Sequence, residues 1–354
     1  MRSLLATALL CGLGIQQAVA QGETVAFGEP QPVTITGFAV ASYAYDRALR
    51  NNSFNGNTIS ASLFKPAGDA YFFGQLTTSL APDGSVGIDI DHVILSWTPH
   101  TATEWTFEFG RLHAPMGFEQ DDAPLNLLPT DSWAFMLTRP SAITGAIVRY
   151  TPLRYLNFVA VVGDGWNVEV APNKGKTGIL RAEVIASDHL EFGVAGVYGP
   201  EHDSTEAFQR TVITPDVTAE VGPLILQAEL NDGWELDSTN TKQHFVGAVG
   251  LAFLRLSDSW GVGVRYDHVD DHTGVMSGTP QVITSIEAGV MYWYRSATAG
   301  IFSNVEHTSF HIPQVGVRLA IRSDVSTQPF FGPNPAGGLE TKDTQAILQF
   351  FYVF

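Results

Sequence analysis

The chain has 354 residues, a formal net charge of −17 from 36 acidic and 19 basic residues, and one cysteine. The acidic balance argues against nucleic acid as a partner, because binding to phosphates needs basic patches. The lone cysteine excludes an intrachain disulfide and a cysteine-based metal site. After residue 20 no stretch supplies the roughly 20 apolar residues of a membrane-spanning helix. A membrane β-barrel is still allowed, since its apolar residues alternate with polar ones.

The first 20 residues have the pattern of a secretory signal peptide. Arg2 provides the positive start, Leu4 to Leu13 form a short apolar run, and Ala18-Val19-Ala20 match a cleavage site. Cleavage would start the mature chain at Gln21 and remove Cys11. We therefore expect a signal peptide at 1–20 and a single barrel domain over 21–354.

Segments with strand-period alternation then follow along the whole chain. They are predicted at 33–46, 58–65, 69–80, 86–97, 105–110, 179–186, 189–198, 223–231, 260–267, 281–294, 315–322 and 345–354. In 86–97, Ile88, Ile90 and Ile94 are expected on one face and Asp89 and Asp91 on the other. Further segments between these bring the total to seventeen if 298–307 and 313–322 are separate strands. Single-chain bacterial barrels have an even number, so we predict sixteen strands, with eighteen as the alternative.

The polar face of these segments carries charges of both signs, and the apolar face carries aromatics near its ends. Because buried charge is costly without solvation, the polar face should be wet. This arrangement favours a transmembrane antiparallel β-barrel over a soluble sandwich and predicts an all-β fold. The residues predicted to face the lumen are Asp89, Asp91, Glu108, Arg149, Arg181, Glu183, Glu191, Glu229, Arg265, Glu287, Arg318 and Arg322.

Connections between the segments alternate in length, as expected for short periplasmic turns and long outer loops. Short turns are predicted at 152–154, 187–189, 222–223, 257–259 and 294–297. Long connections are predicted at 47–57, 114–141, 165–176, 200–210, 232–243 and 326–342.

The last ten residues alternate toward an aromatic end. Phe354, Tyr352 and Phe350 fall on one apolar face that would aggregate if exposed to water, but would suit the lipid side of a barrel. We interpret these three residues as an assembly signal read by the barrel-assembly machinery.

The connection 114–141 is the strongest candidate for a pore constriction. It carries Glu119, Asp121, Asp122, Asp131 and Arg139, so its acids outnumber its bases four to one. If it folds into the barrel, it should favour cations through its local potential. The alternative is an outer loop that is packed over the barrel mouth or exposed.

The stretch from Gly110 to Tyr150 resembles the β-barrel porin-2 (OmpL-like) family, which is similar in style to phosphate-selective porins. The residues that carry the resemblance are Gly110 to Glu119, Asn126, Arg139-Pro140 and Thr144-Gly145, joined by Val161 to Trp166 and by Asn173 to Lys176. The resemblance implies a porin in the outer membrane of a Gram-negative bacterium, without fixing its solute. Acids and arginines are mixed among the predicted lumen residues, which argues against phosphate selectivity.

Other kinds of site have weaker support. Asp267, His268, Asp270, Asp271 and His272 offer metal-ligand chemistry, but alternate strand residues point to opposite faces, so few can converge. The same objection applies to His307 and His311. No local motif joins a nucleophile to a base, so neither an enzyme, a cofactor nor a bound metal is predicted.

Two functions are left open by the sequence. The first is a porin for passive diffusion of small hydrophilic solutes or ions, with a weak preference for cations. The second is a structural or adhesive outer-membrane barrel with a blocked lumen. Lipid and solutes are the expected partners, and a homotrimer is an open alternative to a monomer.

Overall fold

A computed structural model of the chain describes residues 32–80, 86–171, 173–202, 205–236, 241–296 and 313–354. Within these ranges sixteen antiparallel strands form one closed barrel, in which each strand pairs with its neighbours in the sequence and β1 pairs with β16. The prediction of an all-β barrel of sixteen strands is confirmed. None of the helices in the described part of the chain is long and apolar enough to cross a membrane.

The strands are long and joined mostly by short connections. Their bounds are β1 (Thr34–Asp46), β2 (Asn51–Ala67), β3 (Ala70–Leu80), β4 (Val86–Trp97), β5 (Trp105–His113), β6 (Ala142–Leu153), β7 (Leu156–Gly163), β8 (Thr177–Ser187), β9 (Leu190–His202), β10 (Thr205–Val221), β11 (Leu224–Leu236), β12 (Lys242–Arg255), β13 (Trp260–Asp271), β14 (Gln281–Ser296), β15 (Pro313–Ser326) and β16 (Lys342–Val353). A short helix, α1 (Trp133–Thr138), and a 3-10 turn (Ala123–Leu125) lie between β5 and β6.

Alternation along the strands separates an inward face from an outward face. In β13, Arg265 and Asp267 are buried, whereas Val264 and Tyr266, which alternate with them along the strand, are about half exposed. The same alternation in other strands leaves many large apolar side chains on the outside. Monomeric soluble proteins rarely expose this much apolar surface, whereas a barrel surrounded by lipid does.

Aromatic side chains gather where the short turns are. Trp105 stacks on Tyr150 with ring centroids 4.2 Å apart, and Trp260 lies 4.9 Å from Tyr292. These residues lie at the starts of their strands or within a few residues of their ends, at one rim of the barrel, which we name the turn end. Such a ring is typical of the interface between bilayer and water.

Three of the predicted long connections are wrong. Strands β2, β9, β10, β11 and β12 extend through most of 47–57, 200–210 and 232–243, and leave only a few residues between paired strands. The polar and glycine-rich composition suggested loops, but backbone pairing continues beyond the lipid-facing band, where both faces of a strand can be polar. The connections 114–141, 165–176 and 326–342 do separate consecutive strands.

A bulge corrects the predicted face of Ile94. Gln75 pairs with His92 and Leu76 pairs with Ile90, so Asp91 is the extra residue in β4. The bulge reverses the alternation, and Ile94 is 3% exposed while Ile88 on the outer face is 69% exposed. The predicted turn at 294–297 is also wrong for 294–296, because β14 continues to Ser296. The predicted strand at 298–307 lies outside the described residues.

Candidate functional site

The connection 114–141, named here the inner loop, is a packed element with its own structure. Its helix α1 is capped by Ser132, whose hydroxyl accepts a hydrogen bond from the Phe135 amide at 3.0 Å. Leu127 and Leu128 are buried in one apolar cluster with wall residues of several strands, and Met116 is buried in another. The inner loop therefore packs on two parts of the barrel wall.

Arg265 of β13 fixes the middle of the inner loop. Its guanidinium lies 2.8 Å from the Glu119 carboxylate and 2.8 Å from the Glu287 carboxylate of β14. It also donates to the hydroxyl of Thr130 at 2.8 Å and to its carbonyl oxygen. Because Arg265 lies near the centre of its strand, the inner loop reaches well down into the barrel.

A second ion pair holds the end of the inner loop. Arg139 donates through Nε to Glu229 of β11 at 2.7 Å, with both side chains at most 1% exposed. The amide of Phe118 donates to the other carboxylate oxygen at 3.0 Å. Gly117 has a φ of 66°, and an added Cβ would lie 1.9 Å from the Glu229 carboxylate. A glycine is therefore needed where the chain passes this pair.

Two arginines of β15 complete the attachment. Arg322 donates to the Asp131 carbonyl at 2.6 Å and pairs with Asp324 at 2.9 Å. Arg318 donates to the Ala123 carbonyl at 2.9 Å and lies 4.5 Å above the Phe351 ring. Since β11, β13, β14 and β15 all contact the inner loop through inward side chains, this segment lies inside the barrel.

The remaining acids of the inner loop have different surroundings. Asp122 is buried and accepts a hydrogen bond from Gln75 of β3 at 2.9 Å. Asp121 lies 3.6 Å from a ring nitrogen of His113 and its side chain is 39% exposed. Burial, followed by the nearby Glu119 carboxylate, raises the pKa of Asp131 to about 7. The five candidates thus divide into two buried ion-pair anchors, Glu119 and Arg139, and three aspartates.

A separate charged cluster lies on the wall formed by β8, β9 and β10. Arg181 forms a two-point ion pair with Asp216, with contacts of 2.5 and 3.0 Å. Glu183 and Glu191 lie 3.1 and 3.9 Å from the same guanidinium. Asp216 was missed by the sequence reasoning, although β10 shows the same alternation as its neighbours.

The other predicted lumen residues are distributed along the wall. Arg149 pairs with the buried Glu108 at 2.7 Å, and Tyr71 donates to Glu108 at 3.1 Å. Asp91 is partly buried, whereas Asp89 is exposed.

The aspartates and histidines of 267–272 do not converge. Asp267 accepts from the Trp133 amide at 3.2 Å on the inward face, while His268 contacts Thr284. His272 pairs with the exposed Asp270 at 3.0 Å, and Asp271 accepts from backbone amides of the following turn. His307 and His311 lie outside the described residues.

The last strand closes the barrel. Phe350, Tyr352 and Phe354 are each about half exposed on the outward face, and Tyr352 stacks near Phe354. The backbone of Phe354 exchanges two hydrogen bonds of 2.9 Å with Gly37. These aromatics are available to lipid at the turn end.

A closed sixteen-stranded barrel with an apolar outside and a charged, loop-containing inside defines an outer-membrane porin. A family model described as "Putative beta-barrel porin-2, OmpL-like" matches residues 32–354. The chain belongs to this family and is a channel of the Gram-negative outer membrane. Porins are channels rather than enzymes. Among curated proteins, none matches this chain at a significant level.

Solved porin structures have the same fold. An anion-selective porin from Comamonas acidovorans superposes with a TM-score of 0.64 at 10% identity, covering 91% of this chain and 99% of its own. OmpTdeltaL8, a loop-deletion mutant of an outer membrane protein of Vibrio cholerae, gives 0.62 at 11% identity, with coverage of 91% and 99%. Salmonella typhi OmpF in complex with daunomycin gives 0.59 at 12% identity, with coverage of 91% and 97%. At these identities the likeness concerns the fold alone.

Proposed function

We propose that the channel passes small hydrophilic solutes and ions by passive diffusion, with a weak preference for cations. The supporting observation is the charge around the inner loop. Among the described residues, eight carboxylates lie on the inner loop or hydrogen-bond to it, against four arginines. The carboxylates are Glu119, Asp121, Asp122, Asp131, Glu229, Asp267, Glu287 and Asp324, and the arginines are Arg139, Arg265, Arg318 and Arg322.

The preference should be weak because most of these charges are paired. Glu119 and Glu287 share Arg265, and Glu229 is paired with Arg139. Ion pairs of this kind cancel much of their field at a distance, and salt screens the remainder within about 10 Å at 0.1 M. The acidic excess then acts mainly through the less paired aspartates, of which Asp121 is the most exposed. Through this acidic excess, the inner loop would act as a constriction that weakly prefers cations.

Single-channel recording in planar bilayers tests passage itself. The purified, folded protein should give discrete openings that need no energy source, with a conductance that rises with salt concentration. Liposomes containing the protein should swell in small uncharged sugars at rates that fall with sugar size. A folded protein that gives neither openings nor swelling would contradict the proposal.

A structural or adhesive barrel with a blocked lumen is the second candidate. It is favoured by the apolar packing of the inner loop, in which Met116 and Leu128 are buried in two separate clusters of wall residues. Such packing narrows the interior. This candidate predicts a folded, heat-modifiable barrel without conductance, so the same recordings distinguish the two functions.

We further propose that export removes 1–20 and that the final strand is presented to the assembly machinery. The mass of the purified protein should correspond to a chain beginning at Gln21, and an intact N-terminus would contradict cleavage.

A chain lacking Phe354 should reach the outer membrane in much smaller amounts than a chain carrying Val33→Ala. Equal amounts would contradict the assembly role. Cross-linking in the native membrane distinguishes a homotrimer from a monomer, the two states that the sequence leaves open.

A further inference from the structure

Three metal-ligand side chains meet where the inner loop leaves the barrel wall. His92 is inward-facing on β4, His113 is the last residue of β5, and Asp122 lies on the inner loop. The Nε2 atoms of the two imidazoles are 2.9 Å apart, and Nε2 of His113 is 3.8 Å from Oδ2 of Asp122. His92 and Asp122 are 4% and 5% exposed. The three groups thus form a compact cluster that is largely buried, with the His113 side chain 11% exposed.

The spacing of these atoms fits a single small cation. Zinc binds nitrogen and oxygen at about 2.0–2.1 Å, so tetrahedral ligands lie about 3.3–3.4 Å from one another. The three candidate ligand atoms lie within 4.8 Å of one another, on both sides of that spacing. Only small shifts of the side chains would bring all three to bonding distance.

The polar atoms of the cluster are incompletely satisfied. Within the described part of the chain, Oδ2 of Asp122 and the Nδ1 atoms of His92 and His113 are buried without a hydrogen-bond partner. A buried carboxylate oxygen without a partner is costly. Coordination of a cation would relieve this cost at Asp122, because the unpartnered oxygen is the one that faces His113.

Two residues lie beside the candidate ligands. Asp121 lies 3.6 Å from Nδ1 of His113, the ring nitrogen on the far side from His92, a distance that is longer than a hydrogen bond. Gln75 donates to Oδ1 of Asp122 at 2.9 Å, which leaves Oδ2 directed toward the histidines. Metal-binding histidines usually donate their second ring nitrogen to such a carboxylate, which fixes the ring.

We propose that His92, His113 and Asp122 bind one divalent transition-metal ion of the zinc class. Two imidazoles and one carboxylate favour Zn²⁺, Ni²⁺ or Cu²⁺ over Mg²⁺ or Ca²⁺, which prefer all-oxygen sites. Water supplies the remaining ligand. The ion joins the β4–β5 wall to the inner loop and neutralises part of the acidic charge there. Binding requires only the folded barrel, so it stands apart from the proposed conductance.

Calorimetry with zinc chloride tests the site directly. The protein should be folded without a histidine tag, stripped with a chelator and shown to be heat-modifiable. We expect one Zn²⁺ ion per chain. His92→Gln and Asp122→Asn should each weaken binding by at least about tenfold, since loss of supporting groups alone costs that much in other sites. His272→Gln is the matched control, because His272 is exposed and pairs with its neighbour Asp270, away from the proposed ligands.

The contrary outcomes are equally definite. If the wild-type barrel binds no Zn²⁺, or if both variants bind it as tightly as the wild type, the cluster is only a hydrogen-bonded histidine pair. If His92→Gln does not fold, Asp122→Asn carries the test, because Asp122 lies on the inner loop rather than in a strand. Conductance is not needed for any of these readings, so failure of the metal site and failure of the channel function can be told apart.

Discussion

The buried ion pair between Arg139 and Glu229 attaches the end of the inner loop to the barrel wall, and its contribution to stability can be estimated. Their closest atoms are 2.7 Å apart, which corresponds to about 6 kcal/mol of attraction at an effective dielectric constant near 20. Desolvation offsets part of this attraction, and loss of one partner of a buried pair costs roughly 3–5 kcal/mol because a buried charge is left behind. Glu229→Gln should therefore destabilise the folded barrel by several kcal/mol.

The assay is equilibrium unfolding by urea in detergent micelles or lipid bilayers. Asp164→Asn is the control, because it removes a carboxylate from the exposed pair with Lys176, whose nitrogen lies 2.6 Å from it. Surface pairs contribute about 0–1 kcal/mol, so this variant should unfold like the wild type. The same Glu229→Gln channel should also show noisier current, since the end of the inner loop loses its attachment.

A double variant separates the ion pair from general damage. Replacing Arg139 by Met together with Glu229→Gln removes the stranded cation and should recover much of the lost stability. If the unfolding free energy of Glu229→Gln lies within about 1 kcal/mol of that of the Asp164→Asn control, the Arg139–Glu229 pair does not hold the inner loop.

Three further predictions concern the same region. Asp121→Asn should lower the cation preference without changing stability, because this side chain is partly exposed; an unchanged reversal potential would contradict its role. Gly117→Ala should destabilise the folded barrel by about 1–3 kcal/mol, because φ is positive there and the added Cβ meets Glu229. Gly222→Ala should destabilise it less, because φ is positive but the added Cβ meets open space. Equal losses of stability would contradict the contact with Glu229. Because the pKa of Asp131 is raised to about 7, lowering the pH from 8 to 6 should protonate this carboxylate and reduce the cation preference of the channel. In Asp131→Asn the cation preference should change less over the same pH range. Identical pH profiles of the two proteins would contradict this role of Asp131.

The fold could be predicted because the barrel repeats one simple pattern. Lipid on the outside and water inside impose the same alternation on every strand, as in β13. Local irregularities could not be predicted in this way. The bulge at Asp91 reverses the face of Ile94, and nothing in the composition of β4 signals where an extra residue is inserted.

The site was predictable as a segment but not as a set of contacts. The length and acidic residues of 114–141 identified the inner loop. Its partners depend on strands far along the sequence: Arg139 pairs with Glu229, and Glu119 with Arg265. The charge count of the segment alone overstates its field, because wall arginines pair with its acids. The cluster of His92 and His113 was missed because the two residues are on different strands and no motif joins them.

The most decisive experiment measures the reversal potential of the wild-type channel across a planar bilayer with a gradient of potassium chloride. We expect open channels and a small reversal potential, whose sign shows that potassium passes through the channel faster than chloride. A potential of the opposite sign would contradict the acidic constriction, and a folded protein without open channels would contradict the porin function itself.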